Sequence, residues 1–138
     1  MADTHRPPPL RHVAAPEGVA PGNGYSHVVS GHGEWVVVSG QVALDAEGRV
    51  VGEGDPTAQA ERVFDNLRRC LAAAGVGFAD VVKLTYFLTD LAHLPAVRAA
   101  RDLHVDVTRP PASTAVQVSA LIRPELLLEV EALALRRR

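Results

Sequence analysis

The sequence has few of the residues that mark several large classes of protein. It contains one cysteine among 138 residues, which excludes an intramolecular disulfide and favours a reducing compartment. No apolar stretch is long enough to cross a membrane, and the N-terminal residues lack the continuous apolar core of a signal peptide. The sequence therefore predicts a cytoplasmic protein with no membrane association.

Positive charge and aromatic rings are also scarce. Lys and Arg number 14 against 16 Asp and Glu, the net charge is −2, and aromatic residues make up 4%. Without an excess of positive charge, the protein has little to bind a phosphate backbone, and it has few aromatic rings to stack on bases. Nucleic-acid binding is therefore disfavoured. The 47% of hydrophobic residues predicts instead a soluble globular domain with one core.

The chain divides into a short lead-in and one domain. Five of the ten prolines fall within residues 1–22, which lack hydrophobic periodicity and which we expect to form a flexible segment, either mobile or extended. Residues 23–138 form the single predicted domain. Its patterns indicate helices at about 56–74 and 95–105 and strands at 25–30, 35–39, 81–89, 113–119 and 126–135. Residues 43–51 are consistent with a hairpin whose turn lies at Asp45–Gly48. The order ββ(β)αβαββ is typical of an α+β sheet with both helices on one face.

Two helices would leave the other face of such a sheet open. Strand alternation predicts a mixed set of side chains there: Lys83, Thr85, Phe87, Ser113, Ala115, Gln117, Glu129, Glu131 and Leu133. This set is too apolar for free solvent and too polar for a core, so we expect a homo-oligomer with a pocket between subunits. The alternative is a solvated face, which antiparallel sheets tolerate.

Three titratable residues are candidates for chemistry. Glu129 and Glu131 lie two residues apart on one predicted strand, about 7 Å from each other on the same face. Paired carboxylates can divide the roles of acid and base, and the alternative is two surface glutamates. His27 shares the face of Tyr25 and could act as an acid or base near neutral pH. The alternative for His27 is a surface or packing histidine.

Four stretches, in order, resemble the RidA/YjgF/L-PSP family. They are V-S-G-Q-V at 38–42, the helix-to-strand run at 60–91, P-A-S-T-A-V-Q-V at 111–118 and L-E-V-E-A-L-A at 128–134. The resemblance covers about residues 22–135. It implies a chorismate-mutase-like fold and a barrel-like homotrimer with clefts between subunits. It also implies hydrolysis of enamine and imine intermediates to ammonia and a 2-oxo acid, with no metal or organic cofactor.

The resemblance also implies roles for individual residues. Tyr25 and Ser39 would help line the cleft, and Glu129 matches a glutamate that positions the attacking water. The arginine that grips the substrate carboxylate in the family is Ser113 here, so this chain is a divergent member. A hydroxyl cannot make the two charge-assisted hydrogen bonds of an arginine. We therefore do not expect efficient deamination of a small 2-imino acid unless another cation reaches the cleft.

Three arginines are candidates for that cation. Arg109, four residues before Ser113, is the first choice because a loop side chain there could fold over the mouth of the cleft. Arg98 and Arg123 are the others, and the alternative for all three is a solvated surface charge.

Three functions remain open from the sequence. The first is an enzyme acting on an imine, enamine or related carbonyl metabolite with specificity altered by Ser113, where a neutral side chain suits a substrate without a free carboxylate. The second is a non-catalytic trimer that binds a small metabolite. The third is an endoribonuclease, which the charge balance disfavours.

Overall fold

The computed structural model describes residues 8–137, which form two α-helices, two short 3-10 helices and six strands. The helices are α1 (Pro56–Ala73) and α2 (Leu94–Asp102). The strands are β1 (Arg11–Val13), β2 (Val28–Ser30), β3 (Glu34–Gln41), β4 (Val81–Leu88), β5 (Ala112–Gln117) and β6 (Leu128–Arg136). Neither helix of these described residues is both long and apolar enough to span a membrane.

Four of the strands form one mixed sheet in the order β3-β6-β4-β5. Strands β4 and β5 are parallel and are connected through α2, whereas β6 pairs antiparallel with both β3 and β4. A parallel pair needs a crossover connection of this kind. The two helices pack against the same face of the sheet, as the sequence predicts, and the buried core lies between them and the strands.

Helix α1 forms where the local signals predict it. The Asp55 side chain accepts a hydrogen bond from the Ala58 backbone amide at 3.1 Å, and Pro56 occupies the first turn. Phe64, Leu67 and Leu71 recur at helical spacing and are fully buried in the core. The helix therefore serves as the main cover of the inner sheet face.

The prediction of a flexible segment over residues 1–22 is wrong for its central part. Arg11–Val13 form β1, which pairs antiparallel with β2, and Leu10 is buried against Val82 and Leu135. This packing is long-range, so the local density of proline gave no sign of it. The β1-β2 ribbon covers one end of the open sheet face, and residues 1–7 of the predicted segment lie outside the described residues.

Two predicted strands are shorter in the structure. The strand expected at 25–30 is confined to Val28–Ser30, because Tyr25 lies in a glycine-rich loop rather than in the ladder. The hairpin expected at 43–51 is reduced to a single bridge between Leu44 and Val50 around the turn at Asp45.

The prediction that Ser113, Ala115 and Gln117 lie on the open face is wrong. The parallel register pairs Lys83 with Ala112, Leu84 with Ser113 and Tyr86 with Ala115. Because side chains alternate with a period of two, a shift of one residue moves the whole set to the other face. Ser113 therefore lies on the helix side of the sheet. The other residues of the set, Lys83, Thr85, Phe87, Glu129, Glu131 and Leu133, lie on the open face as predicted.

Candidate functional site

Glu129 projects from β6 on the open face, opposite Phe87 of β4. Its carboxylate lies against the backbone of Gly40, so closely that a Cβ at position 40 would overlap Oε1 of Glu129. The pairing of β3 with β6 slips between Val38 and Gln41, and this irregularity brings Gly40 next to the carboxylate. Within residues 8–137, Glu129 makes no hydrogen bond or ion pair, so its oxygens are free to accept a proton or hold a water molecule.

Ser39 immediately precedes Gly40 on β3 and is exposed. Its backbone carbonyl accepts a hydrogen bond from Gln41 Nε2 at 3.1 Å, which braces the irregular stretch of the strand. The structure therefore places Ser39 next to Gly40, the residue that Glu129 contacts from the neighbouring strand, although Ser39 and Glu129 lie 90 residues apart in the chain.

Glu131 is exposed on the same face as Glu129, as strand alternation predicts. It lines a shallow depression of about 90 Å³ together with Lys83, Thr85 and Leu133. Lys83 Nζ donates a hydrogen bond to Thr114 Oγ1 at 2.7 Å. The open face thus carries a cation as well as the two carboxylates.

Tyr25 and His27 are neighbours in the loop before β2. Their rings meet edge to face with centroids 5.2 Å apart, and His27 Nε2 donates to the Ala20 carbonyl at 2.7 Å. The adjacency predicted from strand alternation is therefore observed, but it is produced by the loop and not by a strand.

Arg109 lies on the Tyr25 side of the molecule. Its Nη2 donates to the Leu10 carbonyl at 2.6 Å, and it shares with Tyr25 a cavity of about 460 Å³ that β1 also lines. Arg109 is therefore held by the Leu10 backbone, just before β1. Arg123 instead donates a hydrogen bond to the Gly48 carbonyl at 2.9 Å. The structure groups neither arginine with Glu129.

The candidate residues fall into two groups on opposite sides of the sheet. Ser39 and Glu129 lie at the open face. Ser113 lies on the helix side, and the Tyr25 loop reaches the start of β5 through a hydrogen bond from the Ser26 amide to the Pro111 carbonyl at 3.2 Å. A single chain therefore does not bring Ser113 and Glu129 into one pocket.

Sequence reasoning missed a buried arginine on the Ser113 side. Arg101, near the C-terminal end of α2, is 6% exposed and pairs with Asp102 at 2.8 Å. The guanidinium lies beneath Gly24, where an added Cβ would come within 2.8 Å of Nη2. The available signal was its helical spacing of four residues from the buried Val97.

A larger cavity, of about 580 Å³, lies between β3 and α1 and is lined by Gln41, Arg62, Asn66 and Cys70. It contains Gly40 but none of the candidate acid or base groups. Within residues 8–137, no group of three or more His, Cys, Asp or Glu side chains is arranged to hold a metal ion.

Comparisons with known proteins agree with this fold. A family model described as Endoribonuclease L-PSP matches residues 15–136. Protein DfrA of Myxococcus xanthus is 40% identical over 121 residues, which cover 87% of this chain and 88% of DfrA. A 2-iminobutanoate/2-iminopropanoate deaminase of Salmonella typhimurium is 34% identical over 76% of this chain and 82% of its own length.

Solved structures show the same relationship. The crystal structure of YyfB, a protein of the conserved Rid family from Yersinia pestis, is 36% identical and superposes with a TM-score of 0.80. The match covers 92% of this chain and 98% of YyfB. The chain therefore belongs to the RidA/YjgF/L-PSP family.

Proposed function

We propose that the protein hydrolyses an imine, an enamine or a related carbonyl metabolite in a cleft between the subunits of a homotrimer. Glu129 accepts a proton from a water molecule as that water attacks the carbon of the C=N bond. The nitrogen takes up that proton, the hydroxyl proton of the resulting carbinolamine passes to the nitrogen as the C–N bond breaks, and a carbonyl product and ammonia leave. An enamine reacts in the same way after it tautomerises to the imine. The observation that carries the proposal is that the Glu129 carboxylate makes no hydrogen bond within the described residues and lies against the backbone of Gly40. The deaminase names of the relatives support the reaction class.

The separation of Glu129 from Ser113 supports a site that two copies of the chain share. The two residues lie on opposite faces of one sheet, so a site that contains both of them takes one from each of two subunits. Trp35 and Val37 on the open face are 64% and 73% exposed, and apolar side chains of this size are suited to burial against a second copy. The cleft between subunits accounts for both observations.

The remaining candidates line this cleft in our proposal. Ser39 precedes Gly40, which the Glu129 carboxylate contacts, whereas Tyr25 shares a cavity with Arg109 and its ring packs against His27. Ser113 offers one hydroxyl, whereas the arginine that the family resemblance implies at this position would offer a charged guanidinium, so we expect a different specificity.

An ammonia-release assay tests the proposal with two freshly generated substrates, 2-iminobutanoate and its amide 2-iminobutanamide, of which the amide has no free carboxylate, suits the neutral Ser113 and should be the better substrate. Glu129→Gln removes the base without changing the size of the side chain, and we expect the rate above the spontaneous background to fall about 100-fold. Glu61→Gln, an exposed change on α1, is the matched control and should leave the rate unchanged. Equal rates in the wild type and Glu129→Gln would contradict the proposal.

A second candidate is a trimer that binds a small metabolite without turning it over. The absence of an arginine at position 113 favours it. Saturable ligand binding with no ammonia release from any imine would establish this alternative. The word endoribonuclease in the family description suggests RNA cleavage, but the net charge of −2 disfavours an RNA substrate.

A further inference from the structure

We propose that a second cavity of the chain binds an α-amino acid with an aromatic side chain. This cavity has a volume of about 410 Å³ and lies between β1, the start of β4 and the end of α2. Arg109 lines both this cavity and the one that Tyr25 borders. The inference goes beyond the proposed function, because the cavity is lined by none of four residues assigned to the cleft: Tyr25, Ser39, Ser113 and Glu129.

The walls of this cavity are largely apolar. Leu10, Val81 and Pro111 are buried, and Val105 is 9% exposed. Cavities of about 300 to 1,000 Å³ with apolar walls and a few placed polar groups are typical of small-molecule sites. The size and the walls therefore fit a small ligand with an apolar part.

Two aromatic rings also line the cavity. The rings of Phe78 and His104 have centroids 5.0 Å apart, and Phe64 packs against His104 with a centroid distance of 5.9 Å. Burial, and secondarily Arg68, lowers the pKa of His104, so this imidazole is neutral at pH 7. Aromatic rings prefer such tilted and stacked neighbours. A ring on the ligand can therefore join this group.

Arg109 and Asp106 bring opposite charges to the exposed rim of the cavity without pairing with each other. Arg109 Nη2 donates to the Leu10 carbonyl at 2.6 Å, and its Nε and Nη1 donate to no other described residue. Asp106 Oδ1 accepts from the Thr108 amide and hydroxyl at 2.9 and 2.6 Å, and these bonds lower the pKa of Asp106. Among residues 8–137, nothing donates to Asp106 Oδ2. A ligand that carries both charges would pair with both side chains.

His12 adds a hydrogen-bond acceptor near these two charges. Its Nδ1 lies 3.0 Å from the Pro110 carbonyl, which can only accept, so Nδ1 carries the hydrogen. The lone pair of the neutral ring is then on Nε2, which has no partner in the described part of the chain. His12 is close enough to Asp106 to lower the pKa of that carboxyl. The three hydrogens of an ammonium group can be shared between His12 Nε2 and Asp106 Oδ2.

An α-amino acid with an aromatic side chain satisfies all of these groups together. Its carboxylate pairs with Arg109, its ammonium with Asp106 and His12, and its ring packs on Phe78. Hydrogen bonds within the protein already hold Arg109, Asp106 and His12, which lowers the cost of ordering them when the ligand binds. The ligand binds without reacting, so the site differs from a cleft for an imine in both place and chemistry.

Calorimetric titration of the full-length protein tests the ligand class. The probes are L-phenylalanine, 3-phenylpropanoate, which lacks the ammonium group, and 2-phenylethylamine, which lacks the carboxylate. L-phenylalanine should bind at least about tenfold more tightly than either of the others, because each omits one charge-assisted contact. No binding of L-phenylalanine, or equal affinity for either of the other compounds, would overturn the proposal.

Asp106→Asn tests the contact with the ammonium group. Asparagine keeps an oxygen for the hydrogen bonds from Thr108 but removes the charge. The Kd of L-phenylalanine should rise about tenfold, whereas binding of 3-phenylpropanoate should not weaken. An unchanged Kd for L-phenylalanine in folded Asp106→Asn would overturn the proposal.

Three tryptophan substitutions test where the ligand binds. Ala79 is an exposed residue that lines the cavity, so Ala79→Trp fills it and should abolish binding of L-phenylalanine. Ala72→Trp, on the exposed side of α1, is the matched control and should keep the wild-type Kd. Ser113→Trp narrows the proposed cleft and should also keep the Kd. A wild-type Kd in Ala79→Trp would overturn the proposal, as would loss of binding in folded Ser113→Trp, since L-phenylalanine would then occupy the cleft.

Discussion

The carboxylate of Glu129 lies directly against the backbone of Gly40, where β3 and β6 lose their regular register. No side chain larger than hydrogen fits at position 40 while Glu129 keeps this position. The glycine therefore fixes where the proposed base points, and it does so by leaving space and not by forming a bond.

Gly40→Ala should displace the Glu129 carboxylate and lower ammonia release about 100-fold, since misplacing a catalytic group by 1 Å is enough for a loss of this size. Gly77→Ala is the matched control, because an added Cβ there meets nothing within 4 Å. Steady-state rates and thermal unfolding of both variants check the prediction. Full activity in folded Gly40→Ala would show that the position of Glu129 does not depend on a glycine at residue 40.

Ser113→Arg should raise kcat/KM for 2-iminobutanoate about tenfold, because an arginine adds two charge-assisted hydrogen bonds to the carboxylate. Ser113→Gln has a long neutral side chain and is the control for size. Ammonia release measured at several substrate concentrations gives the comparison. Equal kcat/KM values for the wild type and Ser113→Arg would place position 113 outside the cleft.

Gln59→Leu should lower the free energy of unfolding by about 2–4 kcal/mol. The buried amide donates to the carbonyls of Gly52 and Glu125 and accepts from the Leu127 amide, at 2.9–3.1 Å, and leucine leaves all three backbone groups unpaired. Urea denaturation measures the change. Arg69→Ala, which removes an exposed ion pair, is the control and should have a much smaller effect. Similar losses in both variants would contradict this role for Gln59.

Stability should fall as the pH drops below about 6.5, in part because of His104. Burial, and secondarily Arg68, lowers the pKa of this histidine, whose ring stacks on Phe64 at 5.9 Å. In the unfolded chain this histidine takes up a proton near pH 6.5, whereas in the folded chain it does not. The stabilising contribution of neutral His104 is therefore complete above that pH, and it is lost as the pH falls toward the pKa of the folded state.

His104→Gln should therefore reduce the difference in unfolding free energy between about pH 7.5 and pH 5.5. His32→Gln changes an exposed histidine and should keep the wild-type difference. A full wild-type pH dependence in His104→Gln would contradict the assignment.

The sequence predicts the parts of the fold that rest on local signals. Asp55 and Pro56 mark the start of α1, and strand alternation places Glu129 correctly on the open face. The face of Ser113 could not be predicted this way, because A-S-T-A-V has small or polar side chains on both sides and no hydrophobic pattern to fix the register. Pairing with β4 decides the face, and that contact is long-range.

The burial of Arg101 was also not predicted from the sequence. Leu103, just after α2, is apolar but 77% exposed, whereas Ala100 and Arg101 are buried. The helical spacing from Val97 predicts this face, but a charged residue is not counted as part of an apolar stripe. Likewise, the contact of Gly40 with Glu129 depends on a strand irregularity that no local motif indicates.

In the proposed site, Glu129 comes from one copy of the chain and Ser113 from another. Mixing two inactive variants tests it directly: Glu129→Gln, which lacks the base, and Ser113→Trp, which fills the opposite wall. After the two are unfolded and refolded together in equal amounts, about a quarter of the sites should combine an intact Glu129 with an intact Ser113. We predict recovery of about a quarter of the wild-type rate of ammonia release in the mixture. Ammonia release that stays at background, with mixed oligomers shown to have formed, would contradict the shared site.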